Sequence, residues 1–401
     1  MEQTLTLKIQ LYPTTEQKLL LKNVSCEYQR VCNLISIWCF DTNQFFERHA
    51  FQNELYQYLR SISNLNSLMI QSAFRTVSAH YRSVQTQLRQ SDYVFHDINS
   101  NHWYRVNRDL SWLQKPILFN RPQADYVRKY NYSFVQNATK ISMNVLGQRI
   151  KVSYNTHFND ILLSHNVKLG TAKLIQLKNK WYMHIAYTQT VPDWEHDNNQ
   201  NVIGIDRGLR QIMTTYDQRG KTKFFNGKAI AYKRRKYNYL RQQLQRKNTK
   251  SAKRKLKRLG QQENRWMNDI NHCLSKTLVN SYGDNSLFVL EDLSNITFER
   301  KMRTKQQTNE LHSWSFYDLQ TKISYKANRL GSKVITVPAK YTSQRCPKCG
   351  IVKKSNRKHK IHLYRCANCG FSSNDDRVGA MNLYELGKRY MTGEDKPYFE
   401  K

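Results

Sequence analysis

The chain has 401 residues, with 65 Lys and Arg against 30 Asp and Glu, so its formal net charge is +35 at pH 7. A positive charge spread along most of a chain is typical of proteins that bind polyanions, either nucleic acid or an anionic membrane surface. No run of about 18 apolar residues occurs, and the start MEQTLTLKIQLYP lacks an apolar signal core, so we expect a cytoplasmic protein without a membrane span.

The N-terminal part begins with a strand-like segment and continues into amphipathic helices. Pro13 and a capping box from Thr14 to Gln17 predict a helix start after TLTLKIQLYP. From Asn66 onward, apolar residues recur at helical spacing, which predicts a second long helix. We therefore expect a helical domain over residues 14–114.

Short alternating runs of apolar and polar residues follow, including KISMNV and WYMHIAYTQT. Such alternation predicts the strands of a small barrel or sandwich. The strand in residues 1–13 is expected to complete this barrel with residues 115–191, so that the helices are inserted into it. The polar segment 192–201 is expected to be a linker.

The next segment predicts a three-stranded meander, from VIGID to KTKFFNG, followed by a long basic helix over residues 230–279. Thirteen Lys or Arg lie between Lys233 and Arg258, and no acid occurs before Glu263. Because such a density of like charge repels itself, contact with phosphate is favoured over a merely solvated face. The candidate nucleic-acid contacts are Lys233, Arg234, Arg235, Lys253, Arg254, Lys257 and Arg258.

Two CxxC pairs lie near the C-terminus, separated by sixteen residues. Four thiolates at this spacing predict a tetrahedral zinc site with no open position, which makes one structural Zn²⁺ the expected cofactor. The ligands are Cys346, Cys349, Cys366 and Cys369. The residues between the pairs are expected to form a basic fingertip that contacts nucleic acid, namely Lys353, Lys354, Arg357, Lys358 and Lys360.

Carboxylates stand at the ends of predicted elements in this cationic chain. Asp206 ends the first strand of the meander, Glu291 ends the strand SLFVLED, and the pair Asp375 and Asp376 opens the final helix. Each acid alone is compatible with a turn or a helix cap. Together they favour an oxygen-lined site for two Mg²⁺ ions, the arrangement that phosphodiester hydrolysis needs.

These motifs resemble a known family. IGIDRGL, LFVLEDLSNI, the CxxC pairs and NDDRVGAMNLYELG are similar to the RuvC-like nuclease motifs and zinc ribbon of TnpB, the transposon-encoded RNA-guided DNA endonucleases related to small type V CRISPR effectors. The resemblance implies an α/β RuvC domain of RNase H type over residues 202–345, interrupted by a zinc ribbon at 346–370. A closing helix at 371–390 and a tail at 391–401 would follow, and the N-terminal barrel and helices would be the wedge and recognition domains.

The resemblance also implies an activity. A guide RNA would direct magnesium-dependent cutting of double-stranded target DNA beside a short target-adjacent motif, with no membrane partner and a monomeric chain expected. The family acids correspond to Asp206, Glu291 and Asp376, because Asp376 and Asn382 keep the spacing of the last family motif. The candidates for reading the short motif are Gln71, Arg75 and Arg121.

The chain departs from the family pattern at two places. Arg207 stands beside the first acid, where the family often has an apolar or small residue, and DDRVGAMN replaces the more usual Asn-Ala-Ala. Neither change removes a carboxylate. One alternative is a DNA transposase, which would use a similar acid trio for strand transfer. The other is a nuclease-inactive RNA-guided DNA-binding regulator, and only the acid trio argues against it.

Overall fold

The computed structural model describes residues 1–43, 48–90, 93–97, 102–106, 113–136, 138–156, 159–164, 166–197, 200–208, 210–293, 316–358 and 361–400. Lys360, one of the predicted fingertip residues, lies outside them. The chain divides into two compact units, one of Glu2–Thr190 and one of Val191–Lys401 with Met1. Among the described residues, no helix combines the length and the apolar character that crossing a bilayer requires.

The first unit combines a curled sheet with helices. Its elements are β1 (Glu2–Tyr12), α1 (Thr15–Thr42), α2 (Arg48–Ile62), α3 (Ser67–Gln90), β2 (Tyr93–Asp97), β3 (His102–Val106), β4 (Gln123–Tyr126), β5 (Tyr132–Val135), β6 (Lys140–Val145), β7 (Gln148–Asn155), α4 (Asn159–Leu163), β8 (Val167–Leu177) and β9 (Lys180–Thr190). The main sheet has the order β4-β8-β9-β1-β7-β6-β5.

This sheet is a nearly closed barrel. The Tyr132 hydroxyl on edge strand β5 donates to the Gly170 carbonyl of β8, near the opposite edge, at 2.7 Å. Strand β1 lies between β9 and β7, so the N-terminal strand completes the barrel as predicted. Alternation explains the register, since Trp181, Met183 and Ile185 of β9 are buried while the residues between them are partly exposed.

The helices begin where the sequence predicts and share a core with the barrel. In the capping box, Gln17 N donates to Thr14 Oγ1 at 3.3 Å and Thr14 N donates to Gln17 Oε1 at 3.1 Å. The Tyr28 hydroxyl of α1 donates to Asp125 Oδ2 of β4 at 3.1 Å. The prediction that residues 14–114 are helical is wrong at β2 and β3, which pair with each other as antiparallel strands. Their segments, YVFHD and HWYRV, are rich in aromatic and β-branched residues, which favour strands.

The second unit is built on a mixed sheet. Its elements are β10 (Val202–Asp206), β11 (Gln211–Asp217), β12 (Thr222–Asn226), α5 (Lys228–Lys247), α6 (Lys250–Tyr282), β13 (Leu287–Asp292), α7 (Phe316–Arg329), β14 (Lys333–Pro338), β15 (Arg357–Lys358), β16 (Leu363–Arg365), β17 (Ser372–Asn374) and α8 (Asp375–Met391). The five-stranded sheet has the order β12-β11-β10-β13-β14. Its first three strands along the chain form the predicted antiparallel meander, and β13 and β14 run parallel to β10.

The prediction of one long basic helix is wrong, because the segment forms the two helices α5 and α6. Asn248 has φ 45° and ends α5, and the Thr249 hydroxyl accepts from Ala252 N at 3.1 Å to open α6. Asn tolerates the left-handed conformation, and Thr is a favoured N-cap, so two adjacent polar residues break the helix. Arg241 of α5 pairs with Glu263 of α6 across the resulting hairpin.

Candidate active site

Two of the predicted acids meet at one edge of the mixed sheet. Strands β10 and β13 are parallel neighbours, and Asp206 and Glu291 directly follow the paired residues Ile205 and Leu290. Both acids are buried, with 9% and 6% of their surface exposed. Because parallel strands end at the same edge of a sheet, register alone brings these two carboxylates together.

Helix α8 brings the third acid to the same place. A Cβ atom added at Gly379, in the first turns of α8, would lie 2.9 Å from Asp206 Cγ. The helix therefore packs directly on the first carboxylate. Asp376, one turn earlier, keeps 13% of its side chain exposed.

Burial and neighbouring carboxylates raise the pKa values of the three acids. Burial and the nearby Glu291 and Asp376 carboxylates hold the pKa of Asp206 well above its usual range. Burial also raises the pKa of Glu291, although a hydrogen bond from Thr342 opposes the rise. Burial and the adjacent Asp375 raise the pKa of Asp376. A group of carboxylates that disfavour one another's charge suits divalent cations, which remove the repulsion.

The two adjacent acids of α8 have different partners. Arg357 Nε lies 2.9 Å from Asp375 Oδ2, and His362 Nδ1 lies 3.3 Å from Asp375 Oδ1. Only 1% of the Asp375 side chain is exposed. Asp376 has a longer contact with Arg357 Nη2, at 3.5 Å, and it affects the pKa of Asp206 more strongly than Asp375 does. This difference favours Asp376 as the metal ligand, and its assignment stays a prediction.

The residue beside the first acid, Arg207, holds the end of β13 in place. It is 5% exposed, and its Nη1 donates at 3.2 Å to both the Phe316 carbonyl and Gln320 Oε1. Its Nη2 donates to the Glu291 carbonyl. Burial lowers the pKa of Arg207 to about 10. Sequence reasoning noted this residue only as a departure from a family pattern and missed its position between α7 and β13.

Two further polar residues, Thr342 and Asn382, make hydrogen bonds at the site. The Thr342 hydroxyl donates to Glu291 Oε1, and the Asn382 amide donates to the carbonyls of Thr342 and Arg345 at 2.7 and 2.8 Å. Asn382 therefore ties α8 to the segment that enters the cysteine module. The acidic motif spacing pointed to Asn382, whereas no local signal distinguished Thr342 from the other polar residues around it.

The four predicted metal-ligating cysteines come together. The Sγ atoms of Cys346 and Cys369 are 3.6 Å apart, as are those of Cys349 and Cys366, and all four lie within 4.8 Å of one another. A zinc ion with bonds of about 2.3 Å in tetrahedral geometry needs sulfur atoms about 3.8 Å apart, so the cluster fits Zn²⁺. A hydrogen bond from the Ile351 backbone lowers the pKa of Cys349 to about 6, which favours the thiolate that binds metal.

The basic residues between the cysteine pairs divide into two groups. Lys353, Lys354 and Lys358 are exposed, as a fingertip requires. The prediction that Arg357 belongs to this fingertip is wrong, because its guanidinium contacts Asp375 and Asp376. A long side chain on a short strand reaches the start of α8, where the carboxylates of Asp375 and Asp376 attract it.

The predicted nucleic-acid contacts are mostly exposed. The exception is Arg234, which is 6% exposed and packs on the inner side of α5, so the prediction of a backbone contact there is not supported. Lys233 lies with its Nζ 4.5 Å from the centre of the Trp266 ring and remains exposed. The exposed members of the α5 and α6 set are Lys233, Arg235, Lys253, Arg254, Lys257 and Arg258. In the first unit, Arg75 and Arg121 are exposed and Gln71 is half-buried.

Comparison with known proteins gives two matching sequence families. Residues 316–383 match the model described as "Cas12f1-like, TNB domain", and residues 184–295 match the one described as "Probable transposase". The chain is 27% identical to the CRISPR-associated endodeoxyribonuclease Cas12f1 of Sulfoacidibacillus thermotolerans, over 73% of this chain and 71% of that protein.

Two shorter matches complete the comparison. The putative RNA-guided DNA endonuclease InsQ of Escherichia coli is 29% identical over 44% of this chain and 47% of that protein. The TnpB-like protein MJ0751 of Methanocaldococcus jannaschii is 36% identical over 22% of this chain and 32% of that protein. The chain is thus similar to Cas12f1 and to TnpB-like proteins.

The fold also has a counterpart among solved structures. The solved Cas12f1–sgRNA–target DNA complex matches with a TM-score of 0.61 over 96% of this chain and 98% of that one, at 11% identity. At this identity the likeness concerns the fold alone. The alignments to InsQ and MJ0751 cover less than half of those proteins.

Proposed function

We propose that the chain is an RNA-guided, magnesium-dependent endonuclease that cuts double-stranded DNA beside a short target-adjacent motif. The observation that carries the proposal is the convergence of Asp206, Glu291 and Asp376 at one edge of the mixed sheet. An antiparallel meander of three strands, two further strands parallel to its first strand, and a helix packed on that strand support a RuvC domain of RNase H type. The relatives named as endonucleases support the same activity.

The chemistry would divide between the ions and the protein. Two Mg²⁺ ions held by Asp206, Glu291 and Asp376 would supply activation of water and stabilisation of the leaving oxygen. Arg207 donates to the backbone carbonyl of Glu291, and the Thr342 hydroxyl donates to its carboxylate, so both residues orient Glu291. Arg357 and His362 hold Asp375, which positions the first turn of α8 and hence Asp376. The cysteine cluster would hold one structural Zn²⁺.

The remaining assignments complete the proposal. The barrel and helices of the first unit would be the wedge and recognition domains, with Gln71, Arg75 and Arg121 contacting the motif beside the target. Guide RNA and target DNA are the proposed partners of a monomeric protein that acts on DNA inside the cell. The exposed basic residues of α5 and α6 would contact nucleic-acid backbone.

A guide exchange tests the function. RNA that copurifies with the full-length protein is sequenced, and its guide segment is then replaced by an unrelated one. We expect cleavage to move to the newly complementary DNA, because base pairing and not side chains reads the long target. Cutting that stays at the old site, or that proceeds equally well without RNA, contradicts the proposal.

The same reaction separates the alternatives. A transposase, which the description of the family model over residues 184–295 suggests, would join DNA ends. A regulator would bind the guided target without cutting it. Linear products with unjoined ends, formed only with Mg²⁺ and a matching guide, are expected instead.

Substitution of the acids tests the site. Asp206→Ala, Glu291→Ala and Asp376→Ala should each reduce cleavage to about one thousandth or less of the wild-type rate, since several kcal/mol of transition-state stabilisation are lost with the metal. Binding of guide and target should change little. Asp395→Ala, an exposed acid beyond α8, is the control and should cut normally. If Asp375→Ala abolishes cutting and Asp376→Ala does not, the assignment of the third acid is wrong.

A further inference from the structure

Helix α5 exposes two tyrosines on one face. Tyr232 and Tyr239 are 73% and 61% exposed, so both rings are open to solvent. Residues seven apart lie on the same side of a helix, about 10.5 Å apart along its axis. The third tyrosine of this helix, Tyr237, packs against Trp266 with ring centres 6.0 Å apart. Packing on α6 therefore uses Tyr237 and leaves the other two rings facing outward.

The same face is strongly cationic. Arg235 and Lys236 are exposed and lie one turn from each of the two tyrosines, so cations separate the rings along the helix. Helix α5 contains eight Lys or Arg and no Asp or Glu. The opposite side is occupied, since Ile230 is buried in the core and Arg241 pairs with Glu263. We call Tyr232, Arg235, Lys236 and Tyr239 the tyrosine face.

The chemistry of this face discriminates among ligands. Lys and Arg alone suffice to grip the phosphates of a duplex, whose bases are stacked inside and offer no ring surface to a tyrosine. An unpaired strand presents both phosphates and the flat faces of its bases, and aromatic side chains in a basic groove are the usual platform for it. A solvated helix face would gain nothing from two exposed rings.

We propose that the tyrosine face binds an unpaired stretch of nucleic acid, with bases stacked on Tyr232 and Tyr239 and phosphates held by Arg235 and Lys236. The inference rests on the proposed function only in taking nucleic acid as the ligand. The face contacts base planes and phosphates, which RNA and DNA share, so the test includes both.

The experiment measures binding of the full-length protein, freed of copurified RNA, to three kinds of labelled probe. They are single-stranded oligo(A) as RNA and as DNA, an abasic strand of the same length and charge, and a blunt DNA duplex. The variants are Tyr232→Ala/Tyr239→Ala and Tyr232→Phe/Tyr239→Phe. Tyr130→Ala, which removes a ring that is 67% exposed in the first unit, is the matched control.

The affinity of the double alanine variant for the base-bearing single strand should be at least about tenfold lower than that of wild type, whether RNA or DNA is the tighter probe. Its affinity for the abasic strand and the duplex should stay within about twofold of wild type. The phenylalanine variant should bind like wild type, because the stacking surface is kept, and so should Tyr130→Ala.

Two outcomes overturn the inference. Unchanged binding of the base-bearing strand shows that the rings do not stack on bases, and an equal loss for the abasic strand or the duplex shows that they act through the fold or the phosphates. Guided cleavage is assayed separately on wild-type protein. If wild-type protein shows no guided cleavage but the alanine variant loses binding to the base-bearing strand, the proposed function is wrong and the inference about the tyrosine face holds.

Discussion

The burial of the acid trio lowers the stability of the metal-free chain at neutral pH. Asp206 is buried beside Glu291 and Asp376, and this arrangement raises its pKa. The folded state therefore binds a proton at Asp206 more tightly than the unfolded state does. Such a group stabilises the fold fully below its unfolded pKa, and this stabilisation is lost as the pH rises through the folded pKa.

Asp206→Asn should therefore stabilise the metal-free protein at neutral pH while abolishing cleavage. We expect the second unit to melt a few degrees higher than wild type in EDTA at pH 7, and the difference to shrink toward pH 4, where the wild-type carboxyl is protonated. Thermal unfolding of both proteins at each pH measures the difference and removes the effect of net charge. A variant that melts below wild type at pH 7 in EDTA contradicts this account.

Arg357 should control how well Asp376 is presented to metal. Arg357→Gln leaves the buried Asp375 carboxylate without its guanidinium, so the first turn of α8 loses its anchor. We expect the Mg²⁺ concentration needed for half-maximal cleavage to rise about tenfold, the usual effect of removing a residue that orients a metal ligand.

The control for this change is the neighbouring Lys358→Gln, which alters an exposed side chain of the same strand. Direct Mn²⁺ binding should weaken in Arg357→Gln and not in Lys358→Gln, with zinc content equal in both. Arg357→Lys should restore part of the affinity. If Arg357→Gln loses cleavage but needs the same Mg²⁺ concentration as wild type, Arg357 does not orient Asp376 for metal binding.

At the scale of elements, glycines allow α8 to lie unusually close to the sheet. A Cβ atom at Gly204 of β10 would lie 2.1 Å from the Ala380 carbonyl oxygen and 2.4 Å from Tyr384 N. These are backbone atoms of α8, which cannot move without shifting the helix. Because of this close approach, the start of α8 packs against Asp206. The geometry of the acid site therefore depends on the absence of a methyl group at Gly204, two residues before Asp206.

Gly204→Ala should destabilise the second unit on the order of 1–3 kcal/mol and lower cleavage, because an added methyl overpacks this contact. Gly260→Ala is the matched control, since Gly260 lies in α6 and a Cβ there would meet nothing within 4 Å. It should stabilise by about 0.5–1 kcal/mol through better helix propensity. Denaturant unfolding measures both, and equal stabilities of the two variants would contradict the packing argument.

At the scale of the whole molecule, the cysteine module contacts the helix that carries the third acid. Strand β15 carries Arg357, the segment before β16 carries His362, and both side chains reach Asp375 at the start of α8. The hydrogen bonds of Asn382 tie the same helix to the other end of the module. Order in the module is therefore transmitted to the third acid by side chains and not only by chain connectivity.

Cys346→Ser should lower zinc to a small fraction of one ion per chain and reduce cleavage strongly, since the module loses its fold and releases Asp375. Cys273→Ser changes an exposed cysteine outside the cluster and should retain zinc and activity. Metal analysis and cleavage of both proteins check the prediction. Full zinc occupancy in Cys346→Ser would show that the four cysteines do not form the site.

The sequence by itself determined the features that depend on local pattern. Strand alternation, the capping box at Thr14 and the spacing of the CxxC pairs identified the barrel, the first helix and the cysteine module, because period and turn chemistry are local. The same signals placed the acids at strand and helix ends. The local signals did not predict the break between α5 and α6 at Asn248 and Thr249, because composition alone does not reveal it.

Only the tertiary structure decided which side chains meet. Arg207 contacts residues 84 and 109 positions away, and Arg357 contacts acids 18 and 19 positions away across a turn of the cysteine module. Such pairs depend on how strands and helices pack, which no local period encodes. The different partners of Asp375 and Asp376 arise in the same way, because successive residues at a helix start point in directions about 100° apart and face different neighbours.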